Sequence, residues 1–183
     1  MKSMLKVGLK LALICGVAAV TLGFVNSITE PKIAEYKRKQ HAEALSAVVT
    51  KGKPGEEVPV TGHAGVEAYY PVLEGGLISG YVLKLTGNGY GGDMSLLAFY
   101  EKSGTIIAVR LTENQETPGL GKEAEKDAYM LKFLGMGGDS PVPSRKSDLE
   151  QKDADSITGS TITFIGIAKA LESGSDFVRT LED

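Results

Sequence analysis

The sequence predicts an α+β fold: one N-terminal transmembrane helix, then a single domain with a mostly antiparallel sheet and packed helices. Three observations carry this. Fifteen uncharged residues, Leu11 to Val25, stand near the start. Two apolar, β-branched runs flank a Lys102-Ser103-Gly104 turn. Apolar residues at helical spacing come mostly after those runs. At 183 residues the chain suits one domain with a real core rather than two. A composition of 42% apolar and 23% charged residues argues against wholesale disorder.

The expected organisation is an anchor at 1–25, a helical stalk at 26–50 and one domain at 51–183. The uncharged stretch alone is short for a bilayer. If Lys6 and Lys10 extend their amines toward the headgroups, the usable span is Met4 to Val25, which meets the roughly 20 residues a spanning helix needs. A cleaved signal peptide has the same outline. Gly23, Val25 and Ser27 make a weak cleavage site, and Ile14 before Cys15 argues against lipoprotein processing. An uncleaved anchor is therefore favoured. Lys2, Lys6, Lys10 and the amino terminus on one side face Lys32, Lys37, Arg38 and Lys39 on the other, so charge alone leaves the orientation tied.

Pro31 suits a first helical position, and the charged segment after it reads as a stalk helix whose apolar residues gather toward Val48 and Val49. Residues 51–65 are rich in Gly, Pro and Glu and read as loop. Strands are expected within 75–87 and 95–113, separated by a glycine-rich loop at 87–93. Ala124, Ala128, Leu131 and Leu134 fall at helical spacing within Lys122 to Leu134, with Gly135 as the stop. A polar loop follows to about Asp148. A buried helix then begins at Ser160 or Thr161 and runs through Leu171; Gly174 ends it, and a short helix closes the chain.

Function classes narrow by exclusion. The three lysines of the anchor leave 17 basic against 23 acidic residues in the rest, a net −6. Such an acidic body argues against nucleic-acid binding. A single Cys excludes an internal disulfide, a zinc finger or an iron–sulfur ligand set. The two histidines, His41 and His63, lie in the stalk and a loop, so neither a metal cluster nor a His-based triad is evident. No residue stands out as catalytic by itself.

Three polar, glycine-rich strings interrupt the apolar pattern. Asp155-Ser156-Ile157-Thr158-Gly159-Ser160-Thr161-Ile162-Thr163 places five hydroxyls around the turn that opens a buried helix. Unpaired helix-start amides and the dipole suit a phosphate there, while a plain N-cap explains one hydroxyl equally well. Glu116-Thr117-Pro118-Gly119-Leu120-Gly121 reads as a type II turn with Gly119 at positive φ. Gly121 adds a bare backbone position where a flat ligand could lie; an ordinary strand-to-helix turn is the simpler account. Gly89-Tyr90-Gly91-Gly92 is either a plain hairpin loop or part of a site.

Taken together, these strings resemble the FMN-binding domain family, which includes subunits of Rnf-type electron transport complexes and of sodium-translocating NADH:quinone reductases. The family's Glu-Thr-Pro-Gly-Leu-Gly stands unaltered at Glu116 to Gly121, and its Gly-Tyr-Gly-Gly at Gly89 to Gly92. Its modification motif stands as Asp155 followed by Thr158-Gly159-Ser160-Thr161, with Ser160 in place of the usual Ala. Asn114 replaces a His of many relatives, so no proton chemistry is assigned to it. The length is nearer that of the Rnf-type subunit.

The resemblance implies FMN carried covalently, its phosphate joined to the hydroxyl of Thr161 by a flavin transferase that uses FAD and a divalent metal. Thr158, Ser160 and Thr163 would add hydrogen bonds to the phosphate, and Thr117 through Gly121 would bound the ring, with Glu116, Tyr90 and Ile162 alongside. Lys122 is a candidate to stabilise the reduced flavin. The implied protein is an electron-carrying subunit of an ion-translocating oxidoreductase complex coupling ferredoxin and NAD. It would be single-pass in the inner membrane with its domain on the extracytoplasmic side, and its partners would be the other subunits, the transferase and the lipid bilayer. A cofactor-free structural or assembly subunit is the alternative.

Overall fold

The computed structural model describes residues 2–182 and divides the chain into two compact units, Met1–His41 and Ala42–Asp183. The first is part of a single helix, α1 (Lys2–Val48), long and apolar enough by composition to cross a membrane. Two of its hydroxyls bond back to the helix's own carbonyls: Thr21 Oγ1 donates to Val17 O at 2.8 Å and Thr29 Oγ1 to Val25 O at 2.8 Å. The helix runs through Pro31 rather than starting there, so the expected N1 proline is an interior one. A proline forfeits one backbone hydrogen bond in that position, and the uninterrupted turns on either side hold the helix across it.

In the second unit the sheet has the order β1 (Lys53–Pro54), β3 (Val66–Glu74), β4 (Leu77–Asn88), β5 (Asp93–Glu101), β6 (Ile106–Glu113), with β2 (Val58–Pro59) also on β3. Every pairing is antiparallel. Strand β3 was not expected from the sequence, and the segment 51–65 holds two two-residue strands. The turn at Lys102 to Gly104 closes the β5–β6 hairpin as expected, with Gly104 at φ 85° and its amide on Glu101 O at 2.9 Å.

Central strand β5 is buried on both faces, which explains its unbroken apolar run. Met94, Leu96, Ala98 and Tyr100 join one core cluster with Phe164, Ile167 and Leu171 of α4 (Thr161–Glu182). Leu97 and Phe99 point the other way, into a second cluster with Val72, Val82 and the last turns of α1 at Ala44 and Val48.

Two helical expectations are corrected. Residues 122–134 form three short pieces instead of one helix: a 3-10 turn at Gly121–Glu125, α2 (Asp127–Met130) and a second 3-10 turn at Leu131–Phe133. Lys126 adopts φ −79°, ψ 133°, an extended conformation that breaks the run. The core takes Ala124, Tyr129, Met130 and Phe133, whereas Ala128 and Leu131 are exposed, so the inward-facing residues do not keep one helical period. At the other end, α4 passes through Gly174 without stopping. The glycine is there for space: a Cβ would meet Tyr100 Oη at 2.5 Å, and that hydroxyl donates to Leu171 O at 2.9 Å. A further short helix, α3 (Gln151–Ser156), precedes α4 and carries Asp155.

Candidate functional site

The three strings meet in space. The loop Gly89–Gly92 caps the β4–β5 hairpin and is closed by the Gly89 amide on Gly92 O at 2.8 Å. After β6 the chain makes the expected turn: the Leu120 amide donates to Thr117 O at 3.2 Å and Gly119 has φ 78°. Helix α4 starts beside both. Together they line a cavity of about 350 Å³. Tyr90 comes from the first string, Glu116, Thr117, Leu120 and Gly121 from the second, and Gly159 to Thr163 from the third. Tyr90, Leu120 and Ile162 present apolar surface at its rim, being 74%, 45% and 52% exposed. Ile162, on helix α4, lies on the cavity wall.

Ser160 holds the N-cap position of α4, its carbonyl accepting from the Phe164 amide at 2.9 Å. Among the described residues, no protein group accepts from the amides of Thr161, Ile162 or Thr163. These are the unsatisfied donors a helix start normally leaves. The hydroxyls of the string are not equivalent. Ser156 donates to Asp153 O at 2.7 Å, Ser160 to Ile157 O at 3.2 Å and Thr163 to Glu116 Oε2 at 3.0 Å. Thr158 donates to Ala154 O at 3.5 Å and accepts from Lys146 Nζ at 2.9 Å. Their protons are directed to protein acceptors. Thr161, half-buried and on the cavity wall, is the one hydroxyl of the five with no hydrogen-bond partner among the described residues.

Glu116 ties the strings together. It is 4% exposed, and its two oxygens accept from the Gly91 amide at 3.1 Å and from Thr163 Oγ1 at 3.0 Å. Its own amide is fixed by Asn114 Oδ1 at 3.0 Å, and Asn114 Nδ2 donates to Glu125 Oε1 at 2.8 Å. Gly89 and Gly121 lie so close to the Glu116 carboxyl that a Cβ on either would overlap it. The bare backbone at Gly121 therefore makes room for Glu116 on that side.

Tyr129, which sequence reasoning missed, sits behind this cluster. Its hydroxyl is buried without a hydrogen-bond partner among the described residues. Burial pushes the phenol up to about 12, and the Glu116 carboxyl adds to the rise. A Tyr inside a broken helical pattern gives no local sign of this placement.

Other expected site residues lie away from the cavity wall. Asp155 is exposed and accepts from Gln151 Nε2 at 3.0 Å. Pro118 and Gly119 form the exposed bend of the turn. Lys122 faces Glu125 at 3.7 Å.

Comparison with known proteins gives the family. A model of the FMN-binding domain family matches residues 89–175, and one of the RnfG N-terminal region matches residues 1–48. The chain is 30% identical over 189 residues to the G subunit of the Na(+)-translocating ferredoxin:NAD(+) oxidoreductase complex of Acetobacterium woodii, covering 94% of this chain and 88% of that one. It is 25% identical over 170 residues to the G subunit of the proton-translocating ferredoxin:NAD(+) oxidoreductase complex of Clostridium ljungdahlii, covering 93% and 89%. The crystal structure of Shewanella oneidensis NqrC is similar over 68% of this chain and 69% of that one, at a TM-score of 0.48 and 18% identity. The matched strings, the anchor helix and the near full-length coverage converge: the chain belongs to the family of G subunits of ion-translocating oxidoreductase complexes and carries the family's FMN-binding domain.

Proposed function

We propose that this chain is the electron-carrying G subunit of a membrane-bound, Rnf-type complex that couples ferredoxin:NAD(+) electron transfer to ion translocation, with FMN joined through its phosphate to Thr161. The family membership supports the first part. The observation that carries the second is the Thr161 hydroxyl, which faces the cavity uncommitted while its four neighbours are bonded within the protein. The same accounting favours Thr161 over Ser160, whose hydroxyl is buried and turned back to Ile157.

The residues present fit the group. A space of about 350 Å³ lies within the range of small-ligand sites. Three unpaired amides at the mouth of α4 suit a phosphodiester charge. Attachment by the transferase forms the Thr161 O–P bond as the pyrophosphate of FAD breaks, AMP leaving with the proton. FMN bound there supplies one- and two-electron redox chemistry. The protein's part is positional. Thr117, Leu120 and Gly121 bound one side of the ring space, Tyr90, Leu120 and Ile162 shield its rim from water, and Glu116 holds the three strings in register.

The implied partners are the other subunits of the complex and the transferase. Helix α1 anchors the chain in the inner membrane as a single pass, and the domain lies on the extracytoplasmic side. Protease should therefore reach the domain in cells whose outer layers are opened while the inner membrane stays intact; protection there would reverse the orientation. For the linkage, protein co-expressed with a flavin transferase should fluoresce on a denaturing gel, and Thr161→Val should abolish the signal. Retained fluorescence in that variant would refute attachment at Thr161.

A further inference from the structure

Among the described residues the cavity wall carries one charged side chain, and it has no counter-ion there. Among the described residues, Glu116 is the only acidic or basic residue on the wall, and no Lys, Arg or His lies within ion-pair distance of it. The nearest basic residue in sequence, Lys122, faces Glu125 instead. Both oxygens of Glu116 are held as acceptors, by one amide and one hydroxyl, the arrangement of a carboxylate fixed by neutral donors. At 4% exposure it is poorly screened by solvent or salt.

Resting on the reading of this cavity as the FMN site, we propose that Glu116 sets the cofactor's reduction potential by its charge, and is neither an attachment residue nor a ring contact. An electron that arrives without a proton adds one negative charge to the site. A fixed negative charge beside it opposes that addition and lowers the potential. The α4 amides balance the phosphate, so they leave the carboxylate uncompensated. Neutral donors fix its position without cancelling its charge.

The test compares the wild-type chain with Glu116→Gln and Glu116→Ala, each purified in detergent with and without transferase co-expression. Glutamine keeps the shape, can accept from the Gly91 amide and can donate to Thr163 Oγ1, so the cofactor-free Gln variant should melt at or above the wild-type temperature. Alanine leaves both partners unmet and should melt lower. Loaded with flavin, Glu116→Gln should shift the one-electron potential upward by at least the equivalent of about tenfold in the reduction constant, about 59 mV. The shift should persist at high salt. A loaded Gln variant with an unchanged potential would overturn the inference alone. So would a folded Gln variant that fails to take flavin, since attachment would then need the carboxylate, or a Gln variant that melts as low as Ala. A wild-type chain that takes no flavin would overturn both this inference and the reading of the site.

Discussion

Glu116 and Gly121 constrain each other at close range. Because a Cβ on Gly121 would overlap the Glu116 carboxyl, Gly121→Ala must push that side chain out of its hydrogen bonds or move the turn. Overpacking of this kind costs about 1–3 kcal/mol, and urea unfolding of the detergent-solubilised chain should show it. Gly92→Ala would separate backbone strain from crowding, because Gly92 has φ 128° with open space around it. Much of the site was legible at this scale. The hydroxyl-rich turn, the Pro118-Gly119 bend and the glycine loop each announce themselves through residues with special backbone or capping chemistry. Which hydroxyl is free was not legible, because Ser160 and Thr161 are alike in type and differ only in where the helix start aims them. Tyr129 was invisible for the same reason: its place beside Glu116 depends on a chain reversal, and no local pattern encodes that.

The elements show where periodicity informs and where it misleads. Strands β4, β5 and β6 carry enough β-branched and aromatic residues to be read directly, whereas Pro71 and the flanking glutamates of β3 dilute the same signal. The stretch 122–134 keeps apolar residues at helical spacing, yet an extended Lys126 resets its direction and a different set is buried. Gly174 looks like a stop and is a clearance for Tyr100. The last turns of α1 cover the second face of the sheet, so Val48→Ala should destabilise the domain by about 2 kcal/mol, read as a lower urea midpoint.

A pH effect belongs to the β3–β4 pair. Lys84 Nζ lies 2.7 Å from Glu67 Oε2. Hydrogen bonds from Lys84 and then Thr86 hold the Glu67 carboxyl below its usual 4.5. A lowered folded pKa gives stability that is present above the unfolded value and lost as pH falls through the folded one. Glu67→Gln should therefore flatten the fall in melting temperature on the acid side of about 4.5. The pair is partly exposed, so the effect should be about 1 kcal/mol or less.

At the scale of the whole molecule, one long helix apolar enough to cross a membrane is joined to one sheet domain that carries the FMN-binding family's match. The division was legible because a charge-free stretch and an acidic, glycine-rich body differ so plainly in composition. The convergence of three strings on one cavity was legible only through the family resemblance; antiparallel pairing in the order β3-β4-β5-β6 supplies the physical reason, since it places the Gly89–Gly92 hairpin loop and the end of β6 at the same end of the sheet. Charge on the wall of that cavity then becomes a property of the assembled fold, as do the uncommitted amides.

The most direct measurement is the mass of the intact chain matured with a flavin transferase, followed by mapping of the modified peptide. One FMN less a water, localised to Thr161 and missing from Thr161→Val, is the predicted result. A wild-type chain of unmodified mass under those conditions, or the same increment carried on Ser160, would contradict it.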